Sequence, residues 1–422
     1  MRTGRVSARI GAAAFAVASI LACPATADPL GDAVLTALAR HPEVRLAEAE
    51  VSQAATEVEM ARNGYLPALN ASTGPAAAGL GYDVTLTQTL TDWGQTGGQV
   101  DQRRALLAQQ QANLDVVRDD AALEIVETWM DLASARARLS VINEQLERLQ
   151  DLSGMAQTRV EGRYSDESET GRVALAVATA QGQRAVVEGE LAEAQDRFEL
   201  LVGVEPRNIA LPTLPTFLDG VREEGALEAA IASAPLFRKA ALGVDIADGG
   251  VREARAARFP RLNLEGSLQR REIGGRMVDD SAVAVRFRMD TQRGLTALQR
   301  PKLAAQRREA ARWEAEVVGR DLQRLIESLV RSDAALALRI TAVQDQAEQA
   351  DAVRGLYREQ FLVGRRDIQD LVIMETEQFE AERQLIDLSI ERLRLQYRVA
   401  AQLGLLTRSM AGDQMQMPMG TQ

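Results

Sequence analysis

Residues 81–95 read GYDVTLTQTLTDWGQ, which places a short two-faced segment directly before a very long helical one. Apolar side chains alternate with polar ones at Tyr82, Val84, Leu86 and Leu90. Only Gln88 interrupts the apolar series. Alternation with a period of two is typical of a β-strand with one apolar and one polar face. Asp92, Trp93 and Gly94 end the alternation, so the sequence predicts a strand that passes directly into a helix.

The segment after this strand has the composition of one long helix. No proline occurs between Pro75 and Pro206, and no glycine occurs between Gly98 and Gly154. Apolar residues recur at helical spacing through it, for example at Leu106, Leu114, Val117, Leu123, Val126, Met130, Leu139, Ile142, Leu146 and Leu149. A helix of about 60 residues spans about 90 Å. A turn in EGRYSDESE (161–169) leads into a second helix that ends near Gly203.

The chain repeats this layout, so we predict an internal duplication. HPEVRLAEAEVSQAATEVEMARNGYLPALN, from position 41, resembles APLFRKAALGVDIADGGVREARAARFPRLN, from position 234. Further landmarks pair Gly162 with Gly364 and Gly203 with Gly404. The predicted regions are a signal peptide (1–27), a first repeat (28–203), a linker (204–225), a second repeat (226–404) and a C-terminal tail (405–422).

The two halves predict the same elements. The first half has a helix over about 30–62 and strands over about 65–74 and 81–91. The second half has strand patterns at 260–269 and 282–290, followed by helices over about 295–360 and 366–403. The helices of the second half meet at FLVGRRDIQD (361–370), and the Pro-containing stretch GVEPRNIALPTLPTF joins the halves.

The N-terminus has the features of a secretory signal. Three arginines precede a small or apolar stretch at 10–22, and ATA at 25–27 fits a cleavage site. We expect the mature chain to begin near Asp28. A lipoprotein is the alternative, with a lipid on Cys23, although Leu21 and Pro24 fit that pattern less well.

Composition narrows the possible functions. Cleavage after Ala27 gives a formal charge of (49 − 3) − 60 = −14, which argues against nucleic acid as a partner. It also removes the single cysteine, so disulfides and thiolate metal sites are not expected. His41 is the single histidine and is expected to be a solvated surface residue. We expect no catalytic residue, cofactor or metal, and an enzyme is the weakest hypothesis.

The strands allow two interpretations. One is a half-buried antiparallel sheet in a soluble domain. The other is an outer-membrane barrel with its apolar side toward lipid and its polar side toward a wet lumen. Four strands cannot close a barrel, and an open edge is not tolerated in lipid. The barrel interpretation therefore requires two chains for eight strands or three chains for twelve.

Several motifs together resemble the TolC-like outer-membrane efflux and secretion channels. They are LPALN and PRLNLEGS at strand starts, LTQTLTDWG at the strand-to-helix junction, FLVGRRDIQDLVIMETEQFEAERQLI and the terminal QLGLL. The resemblance implies a mainly α fold with a small β part, in which long antiparallel helical hairpins form a periplasmic tunnel. It also implies a homotrimer with a twelve-stranded barrel, in outer-membrane lipid of a Gram-negative bacterium. The implied partners are a periplasmic adaptor protein and an inner-membrane ABC or proton-driven transporter.

Two sets of residues are predicted to be functional. The strand pattern predicts a lipid-facing set of Val84, Leu86, Leu262, Leu264, Val283, Val285 and Phe287. The resemblance places a constricting acidic ring at Asp370, in a tip that also contains Asp367 and Arg366. Arg366 is expected to hold the tip to the neighbouring hairpin. The equivalent position in the first tip is expected to be Ser168, which Glu167 and Glu169 flank.

Three functions remain open at this point. The leading hypothesis is a passive duct for a secreted polypeptide in a type I system. The second is the outer-membrane component of a multidrug pump for small molecules. The third, of another class, is a secreted coiled-coil structural or adhesion protein without a pore.

Overall fold

The computed structural model of the chain describes residues 29–76, 79–207, 209–223, 225–289 and 296–412. The helices are α1 (Pro29–Leu38), α2 (Pro42–Arg62), α3 (Gln95–Glu161), α4 (Glu167–Val202), α5 (Ala226–Ser233), α6 (Pro235–Ala256), α7 (Thr296–Leu362), α8 (Ile368–Leu403) and α9 (Leu406–Met410). The strands are β1 (Ala68–Ala76), β2 (Gly79–Thr91), β3 (Arg261–Ile273) and β4 (Arg276–Arg288). The predicted fold class, mainly α with a small antiparallel sheet, is confirmed.

Helices α3 and α7 each run for 67 residues. Shorter helices lie end to end along their sides. Helix α3 packs against α2 and α6 in its half nearer the sheet and against α4 and α8 in its other half. Helix α7 packs against α6 and α8. Helices of this length are polar over most of their surface, so their stability depends on neighbours along their whole length.

A proline breaks the first predicted helix, which was wrongly expected to run unbroken over about 30–62. Helix α1 ends at Leu38, and α2 begins at Pro42, where the missing N–H and fixed φ of proline suit the first helical position. His41 at this break is buried, with Nε2 3.9 Å from Glu124 Oε2, so its predicted solvated position is wrong. The break leaves the imidazole packed beside Glu124 on α3.

Asp92 explains why strand β2 passes directly into α3. Its carboxylate accepts hydrogen bonds from the backbone N–H of Gly94 at 3.0 Å and of Thr96 at 2.6 Å. Burial would raise the pKa of Asp92, but the bonds from Thr96 and Gly94 outweigh it and lower the pKa. The carboxylate therefore caps α3 within four residues of the strand end.

The two hairpin tips are equivalent with an offset of 201, because α3 and α7 end at 161 and 362 and α4 and α8 end at 202 and 403. The expected pairing of Gly162 with Gly364 implies 202 and is wrong by one position. The left-handed residue is Arg163 (φ 59°) in the first tip and Gly364 (φ 74°) in the second. A glycine marks this position only in the second tip, so matching glycines misaligned the two turns.

Two buried carboxylates hold α9 and the segment between α4 and α5 against the long helices. Asp119 on α3 accepts hydrogen bonds from the N–H and the hydroxyl of Thr407, at 2.8 and 2.7 Å, and so holds α9. Asp333 on α7 is fully buried and binds Arg222, which lies between α4 and α5. These contacts join the connecting segment and the chain end to the helical rod.

Candidate functional site

Most apolar strand residues lie on one face of the sheet, which at its outer end also carries Arg270, Glu272 and Asp279. Strand order is β1-β2-β3-β4, and the register pairs Leu86 with Gly266, Leu264 with Val285, and Leu262 with Phe287. Paired residues share a face, so the predicted set Val84, Leu86, Leu262, Leu264, Val283, Val285 and Phe287 lies on one side. Val283 and Phe287 are 79% and 77% exposed there. A row of exposed apolar side chains is an unusual surface for water, so this face is a candidate lipid contact.

The opposite face is polar and concave. Asn263 and Glu265 lie on it and are only 4% and 6% exposed, because the curled sheet encloses them. Glu265 forms ion pairs of 3.0 Å with both Arg286 and Arg288 on β4. Apolar residues outside and charged residues inside are the arrangement of a barrel around a wet lumen.

Two aromatic side chains pack together where the sheet meets the helices. The Trp93 and Phe259 rings are 5.4 Å apart, and Trp93 Nε1 donates to the Pro260 carbonyl at 2.9 Å. Trp93 has a positive φ of 60°, which is rare for a bulky side chain. The ring contacts compensate for this backbone geometry. Trp93 is 58% exposed, as suits an interfacial aromatic belt. Sequence reasoning treated Trp93 only as the end of a strand.

The tips carry the predicted acidic residues at the starts of α4 and α8. Asp166 accepts from the Ser168 N–H at 2.9 Å, and Asp367 accepts from the Ile368 N–H at 2.8 Å. Asp367 is thus a helix cap. The bonds from Ser168 lower the pKa of the Asp166 carboxyl. Glu167 and Ser168 are exposed, so the first tip presents its polar groups to solvent.

Glu169 is the buried acid of the first tip. With an offset of 201 it, and not Ser168, is the equivalent of Asp370. Burial, with a further contribution from the nearby Asp367 carboxylate, raises the pKa of Glu169, although Arg159 at 3.9 Å opposes the shift. Glu169 Oε2 receives no hydrogen bond from the described residues. The structure therefore brings two carboxyl groups from different hairpins together.

Arg366 and Asp370 form an ion pair within one hairpin. Arg366 donates to Asp370 Oδ2 at 3.2 Å and to Gln360 Oε1 at 3.0 Å, and its guanidinium lies 4.0 Å from the centre of the Tyr357 ring. Within this chain the Arg366 side chain is bonded inside its own hairpin, and its expected link to a neighbouring hairpin stays a prediction for the assembled protein. The tight turn before α8 directs the side chain back onto α7.

Other residues join the two tips. Arg159 stacks on the Phe361 ring at 4.7 Å, and Arg172 on α4 donates to Gln369 on α8. Higher up, Arg148 on α3 donates to the buried Glu375 on α8 at 2.8 Å. Sequence reasoning missed these residues, because an arginine on a polar helix face carries no signal of its partner.

The described residues contain no helix with enough length and apolar character to cross a membrane. The same residues include no cluster of three or more acidic, histidine or cysteine side chains that could hold a metal ion.

Comparisons with known proteins agree with this geometry. The family described as "Outer membrane efflux protein" matches residues 34–204. Protein CyaE of Bordetella pertussis is 28% identical over 263 residues, which cover 57% of this chain and 56% of that protein. The match thus spans little more than half of that relative's length. In fold, CusC is similar with a TM-score of 0.78 at 15% identity, over 89% of this chain and 92% of that chain. The outer membrane protein VceC from Vibrio cholerae has a TM-score of 0.76 at 15% identity, over 89% and 96%.

The fold and the two-faced sheet define an outer-membrane channel of the helical-tunnel class. Residues 34–204 match the family of outer membrane efflux proteins, and the chain has the fold of the TolC-like channels, as its motifs predicted. This family is one of channels, located in the outer membrane with the long helices in the periplasm.

One prediction follows from the contact between Glu169 and Asp367. A raised pKa means that the folded tip binds the Glu169 proton more tightly than the unfolded chain does. Contact between the tips should therefore weaken as pH rises above the unfolded glutamate pKa of about 4.3. We expect Glu169→Gln to remove this dependence and to slow amide exchange at 161–169 by about two- to ten-fold at neutral pH.

Hydrogen exchange at several pH values, corrected for intrinsic rates, measures this effect. Glu167→Gln is the matched control, because Glu167 is exposed and two residues away. Equal amide exchange at 161–169 in both variants at every pH would show that the Glu169 carboxylate does not weaken the contact between the tips.

Proposed function

We propose that this chain is the outer-membrane duct of a tripartite export system and moves cargo passively. The observation that carries the proposal is the direct continuation of a two-faced sheet into a rod of helices. The sheet offers an apolar side to lipid and a concave polar side to a lumen. The helices extend the enclosed polar space away from the membrane, and the driving energy comes from a partner in the inner membrane.

The duct is a homotrimer under this proposal. β1 and β4 are the edges of the sheet, and an open edge is not tolerated in lipid. Three copies give twelve strands, joined β4 to β1. Apolar side chains also protrude from the two flanks of the helical rod. On α4 they are Leu175, Val186 and Leu200, and on α7 they are Trp313, Val317 and Leu338. These stripes support lateral packing of one copy on the next.

The tips are the proposed docking site for the periplasmic adaptor, and an inner-membrane ABC or proton-driven transporter completes the system. Arg163 and Arg365 lie at the turns between the long helices. We expect cysteines there to crosslink efficiently to the adaptor, whereas a cysteine at Arg276, the first residue of β4, should not. Crosslinks from position 276 alone would reverse the orientation of the duct.

We propose a secreted polypeptide as the cargo, as in type I secretion. The concave face is mostly polar and is charged at the end nearer the helices, which suits a hydrated chain. The weak lipid-attachment pattern around Cys23 also supports this choice. A multidrug pump for small molecules is the second candidate, because the same architecture serves both.

Deletion of the gene in its own host tests the cargo. Loss of one or a few proteins from the culture medium, with unchanged drug sensitivity, would support polypeptide secretion. Drug hypersensitivity with an unchanged set of secreted proteins would support the pump. An unchanged phenotype in both assays and no conductance from the purified protein would favour a structural protein without a pore.

We expect Asp370→Asn to weaken cation selectivity and block by multivalent cations. Three copies of Asp370 near the axis of a trimer would attract cations, as rings of carboxylates do in other channels. Conductance and reversal potential in a planar bilayer under a salt gradient measure the effect. An unchanged reversal potential would show that Asp370 does not line the constriction.

Arg366→Ala tests the ion pair beside that carboxylate. The pair is about one-third exposed, so a single copy contributes about 0–1 kcal/mol. Because Arg366 is bonded within its own hairpin, we expect a small change in conductance. A large rise would mean that the assembled duct gives Arg366 a partner on another chain.

A further inference from the structure

A basic cluster lies on the polar face of the sheet at the end nearer the helices. The register pairs Arg288 with Arg261 and Arg286 with Asn263, so these side chains share the concave face with Glu265. Glu265 is buried and binds one guanidinium with each carboxylate oxygen, both at 3.0 Å. Both arginine side chains are nevertheless 59% exposed. The carboxylate therefore positions the two guanidinium groups and leaves their outer sides in the open space.

The charge of this cluster is not balanced. Arg286 and Arg288 carry two positive charges against the one negative charge of the Glu265 that binds both, a net of +1 for these three side chains in each chain. On the same face of the outer half of the sheet, the charges of Asp83, Arg271, Arg276 and Asp280 sum to 0. The positive potential is thus confined to the end of the sheet nearer the helices. Asn263 lies at that end, buried, and its Oδ1 receives no hydrogen bond from the described residues.

The start of α3 lies beside this cluster. Helix α3 begins at Gln95, and Arg261 donates to the Gln95 side chain at 2.9 Å. The Asp92 carboxylate already accepts from the N–H groups of Gly94 and Thr96. The positive potential of the cluster therefore comes from its arginine side chains and not from the helix end.

We propose that Arg286 and Arg288, held by Glu265, form a basic collar at the inner end of the barrel lumen that favours acidic segments of the cargo. The proposal rests on the proposed duct, because the collar becomes a ring only when copies of the chain close the barrel. Three copies of Arg286, Arg288 and Glu265 give a net charge of +3 at one level of a narrow lumen with walls of low dielectric constant. Such a ring focuses the field on whatever passes through it.

The test is the reversal potential of the purified channel in a planar bilayer under a salt gradient. We expect the double variant Arg286→Gln/Arg288→Gln to shift it toward cation selectivity, opposite in sign to the shift from Asp370→Asn. Arg270→Gln is the matched control, because Arg270 is an exposed arginine on the lipid-facing side. It should leave the reversal potential unchanged.

Block by a polyglutamate peptide is the second readout. The concentration for half block should rise at least about ten-fold in the double variant. If the double variant does not insert, each single variant should still show a smaller shift of the same sign. Normal conductance with unchanged selectivity and unchanged block would overturn the collar and leave the duct intact. Absence of conductance in the unmodified channel would instead overturn the duct and the collar with it.

Discussion

Substituting Asp333 by Ala should loosen the middle of the helical rod more than any surface change on α7. Asp333 is 0% exposed and accepts hydrogen bonds from Arg222 at 2.7 Å, Arg392 at 2.8 Å and Gln396 at 3.2 Å. Removal of the carboxylate leaves Arg392 without its counter-charge and leaves Arg222 with only the exposed Asp219. Breaking a buried pair by removing one partner costs about 3–5 kcal/mol.

The effect should be concentrated where the connecting segment meets the second hairpin. Gln396 also accepts from the Leu218 N–H at 3.2 Å, so loss of Asp333 disturbs the backbone contact beside it. We expect amide exchange near 216–222 and in the adjoining turns of α8 to accelerate by at least about a hundred-fold. Hydrogen exchange followed by mass spectrometry measures this directly on the assembled protein.

Asp321→Ala is the matched control on the same helix. Asp321 pairs with Arg324, and both are exposed, so its loss should cost less than about 1 kcal/mol. Equal exchange in the two variants would show that the buried cluster does not hold the segment.

Acid should reproduce the effect of the substitution. Burial alone would raise the pKa of Asp333, but the hydrogen bond and charge of Arg392, with Arg222, lower it. A lowered pKa in the folded state means that Asp333 contributes stability above its unfolded pKa. That contribution should be lost as pH falls below about 4. Asp333→Ala should lack this component.

The strands show how far sequence alone can predict this fold. The period-two pattern placed seven apolar side chains on one face, and the pairing of β2, β3 and β4 puts all seven there. The pattern works because every second side chain points the same way and a shift of one position would reverse both faces. Strand ends were less well predicted, since Arg276–Arg288 begins six positions before the pattern at 282.

The tips show where such prediction fails. Matching the glycines of the two turns misaligns them, because Arg163 adopts the left-handed conformation that Gly364 adopts in the other copy. The one-position error then made exposed Ser168 the equivalent of Asp370 and treated buried Glu169 only as its neighbour. Contacts between hairpins, such as Arg148 with Glu375, join residues 227 positions apart. The helical period fixes a face but not the partner on another helix, so these contacts could not be read from the chain.

Arginine at Val283 should impair insertion and assembly, because Val283 lies near the centre of β4 on the apolar face and is 79% exposed. Arginine on the lipid side of a barrel costs about 2–4 kcal/mol at the midplane of the bilayer. The yield of folded trimer in outer-membrane fractions, and its resistance to dissociation in detergent, measure the loss.

Ala282→Arg provides the control from the neighbouring residue on the polar face. Ala282 is exposed and pairs with Ser267, so arginine there would point into a wet lumen beside other charged groups. Asn263, the neighbour of Leu262 on the polar face, is a poorer control, because it is buried and arginine would also clash there. We expect Ala282→Arg to assemble normally and Val283→Arg to fail. If both variants assemble equally well, the apolar face does not contact lipid, and the sheet would then be an ordinary half-buried sheet in a protein without a barrel.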